Sequence, residues 1–327
     1  MKNMKNLFFF SITILFLTSL KSQKLLCPCE TIASEKRENL GLKKWPKFKA
    51  NQTLKINSLI DYQYKTKDSE ANLYWFKYRK PWWTNIKNDP WSEYPFFGKN
   101  FIEPESNFNS NVDDKLRWKC GYSYLVDIPI KFKKNKKYPL VIFLHGGIDS
   151  DQKKFLLREG QRKSFYMSEE DPYIIAAPIK IGIDWDPKKV IDIINDIKKN
   201  IRIDENRIYL TGLSMGGRGS FIVASQYPDI FASIIALSPH HTPYSYVSLI
   251  NKVKNLPILI SHGNVDTTSS YDIAEEMYEG LKRLGSSVVF KPRLGIGHWG
   301  WESFYSNKEN IDWLLSWKKN PDNYNLI

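Results

Sequence analysis

At 327 residues the chain is long enough for one large domain, or for a domain with an extension. Hydrophobic residues make up 42% and charged residues 25%, without low-complexity tracts or internal repeats, which excludes a disordered or fibrous chain. The net charge of +13 comes from lysines spread along the sequence and reads as a solvated surface. No recognition-helix, RNP or zinc-finger pattern accompanies it, so nucleic acid is not an expected partner.

Lys2 and Lys5 precede an apolar run from Leu7 to Leu20, which is too short to span a bilayer comfortably. Residues 1–23 therefore read as an export signal, with cleavage within Leu20–Lys24. A secreted or periplasmic protein with no membrane span after cleavage is the expectation; an uncleaved anchor is the alternative. Cys27, Cys29 and Cys120 suit an exported chain with at most one internal disulfide. Cys27-Pro28-Cys29 is too cramped to favour bridging itself, so one of the pair is expected to bond to Cys120. A C-x-C pair without a neighbouring histidine is a weak zinc signal, and no metal is expected.

Residues 24–115 mix lysine, asparagine and aromatics without a sustained period of two or 3.6. Pro46, Pro81, Pro90, Pro95 and Pro104 interrupt them, and Trp45, Trp75, Trp82, Trp83 and Trp91 all fall here. The expectation is an irregular, aromatic-rich N-terminal extension that packs on the main domain through its tryptophans. An aromatic platform for sugar rings is the alternative.

Residues 116–327 are expected to form the main domain. Strand-like runs fall at Tyr122–Ile128, Leu140–Leu144, Ile174–Ala177, Arg207–Leu210, Ser233–Leu237, Ile258–Ser261 and Ser287–Lys291. Helical patterns lie between and after them at Pro187–Asn200, Gly217–Tyr227, Tyr271–Leu284 and Asn310–Lys318. Short, fully apolar strands such as LVIFL and IIAL suit burial on both faces. The spacing predicts an α/β fold with a mostly parallel central sheet flanked by helices.

Within this pattern, Thr211 to Ser220 reads TGLSMGGRGS, with Gly216, Gly217 and Gly219 at the start of an expected helix. Each glycine there costs about 1 kcal/mol relative to alanine. Strand, then Gly212-Leu213-Ser214-Met215-Gly216, then helix is the context of a nucleophile elbow, where side chains at 212 and 216 would collide with the turn. A phosphate loop is excluded by the missing Lys-Ser/Thr pair.

A nucleophilic serine needs an acid and a base, in the chain order serine, acid, histidine for this elbow. Asp266 follows the strand-like Ile258–Ser261, and His298 lies in a glycine-rich loop after the last strand. Ser214, Asp266 and His298 are the candidate catalytic residues. His262 precedes the acid and reads as structural. Leu140–Leu144 runs into His145-Gly146-Gly147, so backbone N–H groups of Gly147 and Met215 are the candidate oxyanion hole. His145 itself reads as a turn histidine bonded to nearby backbone. His240 and His241 follow Ser233–Leu237, in a loop expected to border the substrate pocket. Trp299 and Trp301 flank the base loop and are expected to seal the core, with packing on an aromatic acyl group as the alternative for both. Trp299 is the candidate substrate-binding residue of the two.

The runs YPLVIFLHGG, RIYLTGLSMGGRGSFIVASQYPDIFASIIALS, ILISHGNVD and GIGHWGW together resemble the α/β-hydrolase superfamily. Within it they are most similar to exported carboxylesterases related to feruloyl and acetyl-xylan esterases, polyhydroxybutyrate depolymerases and prolyl-oligopeptidase-like hydrolases. The likeness covers roughly residues 117–318. It implies Ser214 as nucleophile, Asp266 as orienting acid, His298 as base, and Gly147 and Met215 as oxyanion donors. Two departures stand out: Gly147 is followed by Ile148-Asp149 rather than a small residue and Gly-Glu, and His240-His241 stand where relatives often carry glycines. Substrate specificity therefore does not carry over.

The expected activity is that of an exported serine hydrolase cleaving carboxylic esters through an acyl-enzyme, without a cofactor. Carbohydrate-linked or other bulky esters are the expected substrates, whether small molecules or polysaccharide-linked. A peptidase or acyltransferase with the same three residues is one alternative. A non-catalytic glycan-binding protein on the same scaffold is another.

Overall fold

The computed structural model describes residues 45, 47–56, 123–147, 162–179, 185, 187–241 and 245–319. The expected signal segment, the three cysteines and most of the expected extension lie outside the described residues. Among the described residues, no helix is long and apolar enough to cross a membrane.

Eight strands form one sheet: β1 (Gln52–Ile56), β2 (Ser123–Ile128), β3 (Tyr138–Leu144), β4 (Ile174–Ile179), β5 (Ile203–Leu213), β6 (Ser233–Leu237), β7 (Ile258–Gly263) and β8 (Val288–Arg293). Their spatial order is β1-β2-β4-β3-β5-β6-β7-β8. The pairings β1–β2 and β2–β4 are antiparallel, and all the others are parallel. Among the described residues the helices with both ends defined are α1 (Pro187–Asn200), α2 (Met215–Gln226), α3 (Ile250–Val253), α4 (Tyr271–Arg283), α5 (Trp301–Ser306) and α6 (Lys308–Ser316).

Strand β3 is buried along its whole length, and its period-two alternation serves two cores at once. Leu140, Ile142 and Leu144 join the cluster that α1 to α4 cover with Val190, Phe221, Val253 and Met277. Val141 and Phe143 point the other way, into the cluster closed by Phe304, Tyr305 and Leu314 of α5 and α6. This is why the inner strands read as continuous apolar runs: neither face meets water.

Residues 52–56 correct the expectation of irregular structure in that stretch. They form the edge strand of the sheet, with Leu54 and Ile56 in the core. The alternation spans only five residues, too few to stand out among prolines and lysines. Trp45, the one tryptophan of its group among the described residues, packs edge-on against Phe48 at 5.9 Å and donates its Nε1–H to Asp196 at 2.9 Å. The last helix starts two residues earlier than its apolar pattern, at Lys308, because the Asn307 side chain caps it by accepting the Glu309 N–H. Parallel pairing of β3, β5, β6, β7 and β8 gathers the chain segments that follow them at one carboxyl edge of the sheet, where sites form in such folds.

Candidate active site

At that edge β5 turns into α2 through Ser214, whose φ of 55° and ψ of −119° lie outside the regions open to most residues. Such a conformation costs about 1–3 kcal/mol and persists only where its surroundings hold it. Three hydrogen bonds do so: Ser214 N–H to Leu237 O (2.9 Å), Arg218 N–H to Ser214 O (3.1 Å) and His240 N–H to Ser214 O (2.9 Å). A Cβ at Gly216 would occupy the space of the Leu144 carbonyl, and one at Gly212 would meet the Gly216 carbonyl. The glycines thus permit the turn to sit against β3.

Loops after β5, β7 and β8 bring Ser214, Asp266 and His298 together. His298 Nδ1 lies 2.7 Å from Asp266 Oδ2, and its Nε2 lies 2.9 Å from Ser214 Oγ. An ionised carboxylate can only accept, so the imidazole proton sits on Nδ1 and Nε2 accepts from the serine hydroxyl. The Asp266 side chain is wholly buried, whereas His298 keeps 15% of its side chain exposed. Burial alone would raise the Asp266 pKa. Hydrogen bonds from His262, His298 and the Ser269 N–H outweigh that cost and hold the carboxyl well below the usual carboxylate range. Its other oxygen accepts the Thr268 and Ser269 N–H groups at 2.8 and 2.9 Å.

His262 is the residue whose contacts the sequence reading did not anticipate. Its Nε2 lies 3.2 Å from Asp266 Oδ2 and 3.1 Å from the Ser269 carbonyl, with no side-chain exposure. Both partners accept, so Nε2 carries the proton, while Nδ1 is buried without a hydrogen-bond partner among the described residues. The spacing of four between His262 and Asp266 across a tight turn was the available signal.

The other expected site residues fall around this group. Gly146 and Gly147 lie against the elbow: a Cβ at Gly146 would come within 3.3 Å of Ser214 Cβ, and one at Gly147 within 2.7 Å of Met215 Cε. As the first residue of α2, Met215 has no intrahelical acceptor for its N–H. His145 is buried, with Nδ1 2.6 Å from the Gly146 carbonyl and its ring edge-on to Trp185. His240 Nδ1 pairs with Ser269 Oγ at 3.0 Å, and its ring centre is 6.4 Å from that of His298. Burial, and secondarily the Arg218 cation, push the His240 pKa down to about 3. His241 accepts the Ser270 N–H at 3.0 Å, and burial lowers its pKa too.

The two tryptophans of the base loop part company. Trp301 is buried, its ring perpendicular to that of His298 at 5.0 Å. Trp299 is 59% exposed, and its ring lies over Gly297, where a side chain would displace it. Among the described residues, no group of three or more His, Cys, Asp or Glu could hold a metal ion.

A mostly parallel sheet with helices on both faces and a serine at the turn after its central strand is the α/β-hydrolase fold. Residues 192–313, which include Ser214, Asp266 and His298, match the family described as putative esterase. The carboxylesterase SOBER1 of Arabidopsis thaliana is 27% identical over 152 residues, 43% of this chain and 63% of that protein. Dipeptidyl-peptidase 5 of Porphyromonas gingivalis is 27% identical over 127 residues, 34% of this chain and 18% of its own. The chain thus spans less than two thirds of the length of these curated relatives. Among solved structures, a thermostable esterase aligns with a TM-score of 0.49 at 25% identity, over 60% of this chain and 59% of that one. The ferulic acid esterase of Anaeromyces mucronatus aligns at 0.44 and 20%, over 59% and 84%.

Proposed function

We propose that the protein is a serine hydrolase that cleaves carboxylic esters. The observation that carries this reading is the His298 imidazole, placed between Asp266 and Ser214 at 2.7 and 2.9 Å. The putative-esterase match over residues 192–313 supports esters as the substrate class.

Ser214 Oγ attacks the ester carbonyl while His298 Nε2 takes its proton. Asp266 holds the imidazole in the right tautomer and stabilises its cation. The N–H groups of Met215 and Gly147 receive the developing oxyanion. Collapse of the tetrahedral intermediate breaks the bond to the alcohol, which leaves with the proton from His298, and Ser214 keeps the acyl group. Water, deprotonated by His298, then attacks the acyl-enzyme; the acyl–Oγ bond breaks, the acid leaves, and His298 returns the proton to Ser214 Oγ. No metal or organic cofactor enters these steps.

The exposed Trp299 next to His298 favours bulky, carbohydrate-linked or aromatic esters. His240, with its ring centre 6.4 Å from that of His298, and its neighbour His241 are the further candidates for substrate contact. The apolar run Leu7–Leu20 behind Lys2 and Lys5 supports export. A peptidase with the same three residues is the second reading, and the likeness to dipeptidyl-peptidase 5 favours it over an acyltransferase.

The test is labelling of the purified mature protein with a fluorophosphonate probe, alongside turnover of p-nitrophenyl acetate and methyl ferulate. Labelling at Ser214 with ester turnover is the expected result. Labelling without turnover of either ester would move the search to peptides, and no labelling would overturn the reading.

A further inference from the structure

Arg293, the last residue of β8, touches three of the loops that form the site. Its carbonyl accepts the Asn264 N–H at 3.2 Å, on the loop that carries Asp266. Its Nη1 donates to the Trp299 carbonyl at 2.6 Å, one residue beyond His298. Its Nη2 donates to Ser238 Oγ, also at 2.6 Å. The two acceptors of the guanidinium are a carbonyl and a hydroxyl rather than a carboxylate, and the buried Nε has no hydrogen-bond partner among the described residues.

Ser238 is itself unusual. It is fully buried and sits at a φ of 39°, a left-handed conformation rare for a residue with a side chain. Strain of this kind needs surroundings that hold it. Its N–H bonds to the Ser261 carbonyl at 2.8 Å, and its hydroxyl receives Arg293 and, more distantly, Trp301 Nε1 at 3.5 Å. Two residues further on, His240 delivers its N–H to the Ser214 carbonyl. A lysine ammonium is a compact charge on a flexible stem, whereas the planar fork of a guanidinium can hold two acceptors on separate loops in a fixed relation.

We propose that Arg293 is a positioning residue that clasps the His298 loop to the segment supporting Ser214, and so sets the distance between base and nucleophile. The inference rests on His298 acting as the base. Arg293 touches no reacting atom; it acts through the Trp299 carbonyl and Ser238.

The experiment compares R293M, R293K, S238A and R293M/S238A with the wild type by kcat and KM for p-nitrophenyl acetate, melting temperature and low-field proton NMR of the His298 Nδ1–H. R293M should lower kcat about tenfold or more while leaving KM nearly unchanged, because small misplacements of reacting groups act on the chemical step. R293K should recover part of that loss. S238A should cost less, and the double variant should be no worse than R293M, because both substitutions break one clasp. If R293M does not fold, R293K and S238A carry the same comparison. Variants that keep wild-type kcat, losses that follow the folded fraction, or additive losses would overturn the proposal. A wild type that turns over no ester would count against the functional reading alone. The low-field proton, present in the wild type and lost in R293M, would still report the clasp.

Discussion

His262 Nε2 lies 3.2 Å from Asp266 Oδ2, and neither side chain is exposed. The same oxygen accepts from His298, so two imidazoles share one carboxylate oxygen. Replacing His262 with Phe removes a donor from a buried charge, a loss worth about 1.5–3 kcal/mol of stability at neutral pH. His262→Gln, which can restore an N–H donor, should recover part of it. Asp266 has a lowered folded pKa, so the stability it contributes is present above the ordinary aspartate value of about 3.9 and lost as pH falls below it. The gap between wild type and His262→Phe in urea unfolding should therefore narrow at acid pH. A gap that stays constant across that range would mean the histidine only fills space.

The elbow gives a second expectation. A Cβ at Gly216 has nowhere to go, because the β3 backbone at Leu144 occupies its place. Gly216→Ala should cost at least about 2 kcal/mol, in the upper part of the usual range for overpacking or beyond it, since the obstacle is backbone rather than a movable side chain. Fluorophosphonate labelling of Ser214 should slow in whatever fraction folds. Wild-type stability and labelling in this variant would show that α2 can shift away from β3.

How much of this was legible depended on whether the signal was local. The β5–Ser214–α2 turn could be read because glycines at 212 and 216 leave a mark in the sequence. Asp266 and His298 could be read because each follows a parallel strand, and parallel strands end at one edge. Strand β1 was missed because its only strong apolar residues, Leu54 and Ile56, owe their burial to pairing with β2, more than 65 residues away. Arg293 was missed for the same kind of reason, because its partner Ser238 is 55 residues away and an arginine ending a strand carries no periodic signature. The role of His262 was missed although its partner Asp266 is only four residues on, because a histidine before a glycine does not by itself mark a donor to a carboxylate. Trp299 and Trp301 are alike in kind and flank a single residue, yet one is exposed and the other buried, on either side of the N-cap Gly300 at a φ of 77°.

Those two tryptophans should respond differently to truncation. Trp301→Ala opens a hole beside His298 and within the α5–α6 core, and should cost about 3–5 kcal/mol. Trp299→Ala removes an exposed ring and should leave stability within about 0.5 kcal/mol. Any effect of Trp299→Ala belongs in KM for a bulky aromatic ester such as methyl ferulate, with p-nitrophenyl acetate little changed. Thermal melts and steady-state kinetics on both variants would check this. An equal change for the two esters would remove Trp299 from the substrate-contacting set.

His240 links the site to pH. Its folded pKa of about 3 lies below the unfolded histidine value of about 6.5, so the folded state binds the proton less readily than the unfolded chain. The stability this group contributes is complete above the unfolded value and is lost as pH falls toward the folded one. Burial is the leading cause, and the Arg218 cation adds to it. His240→Gln keeps a polar side chain for Ser269 Oγ without a titrating imidazole. Its melting temperature should fall less steeply than the wild type's between about pH 6.5 and 3, in buffers matched for ionic strength. His241, lowered in the same direction, remains in both proteins and cancels from the comparison. Parallel curves for the two proteins would mean that water reaches the His240 ring and that the imidazole titrates as it does in the unfolded chain.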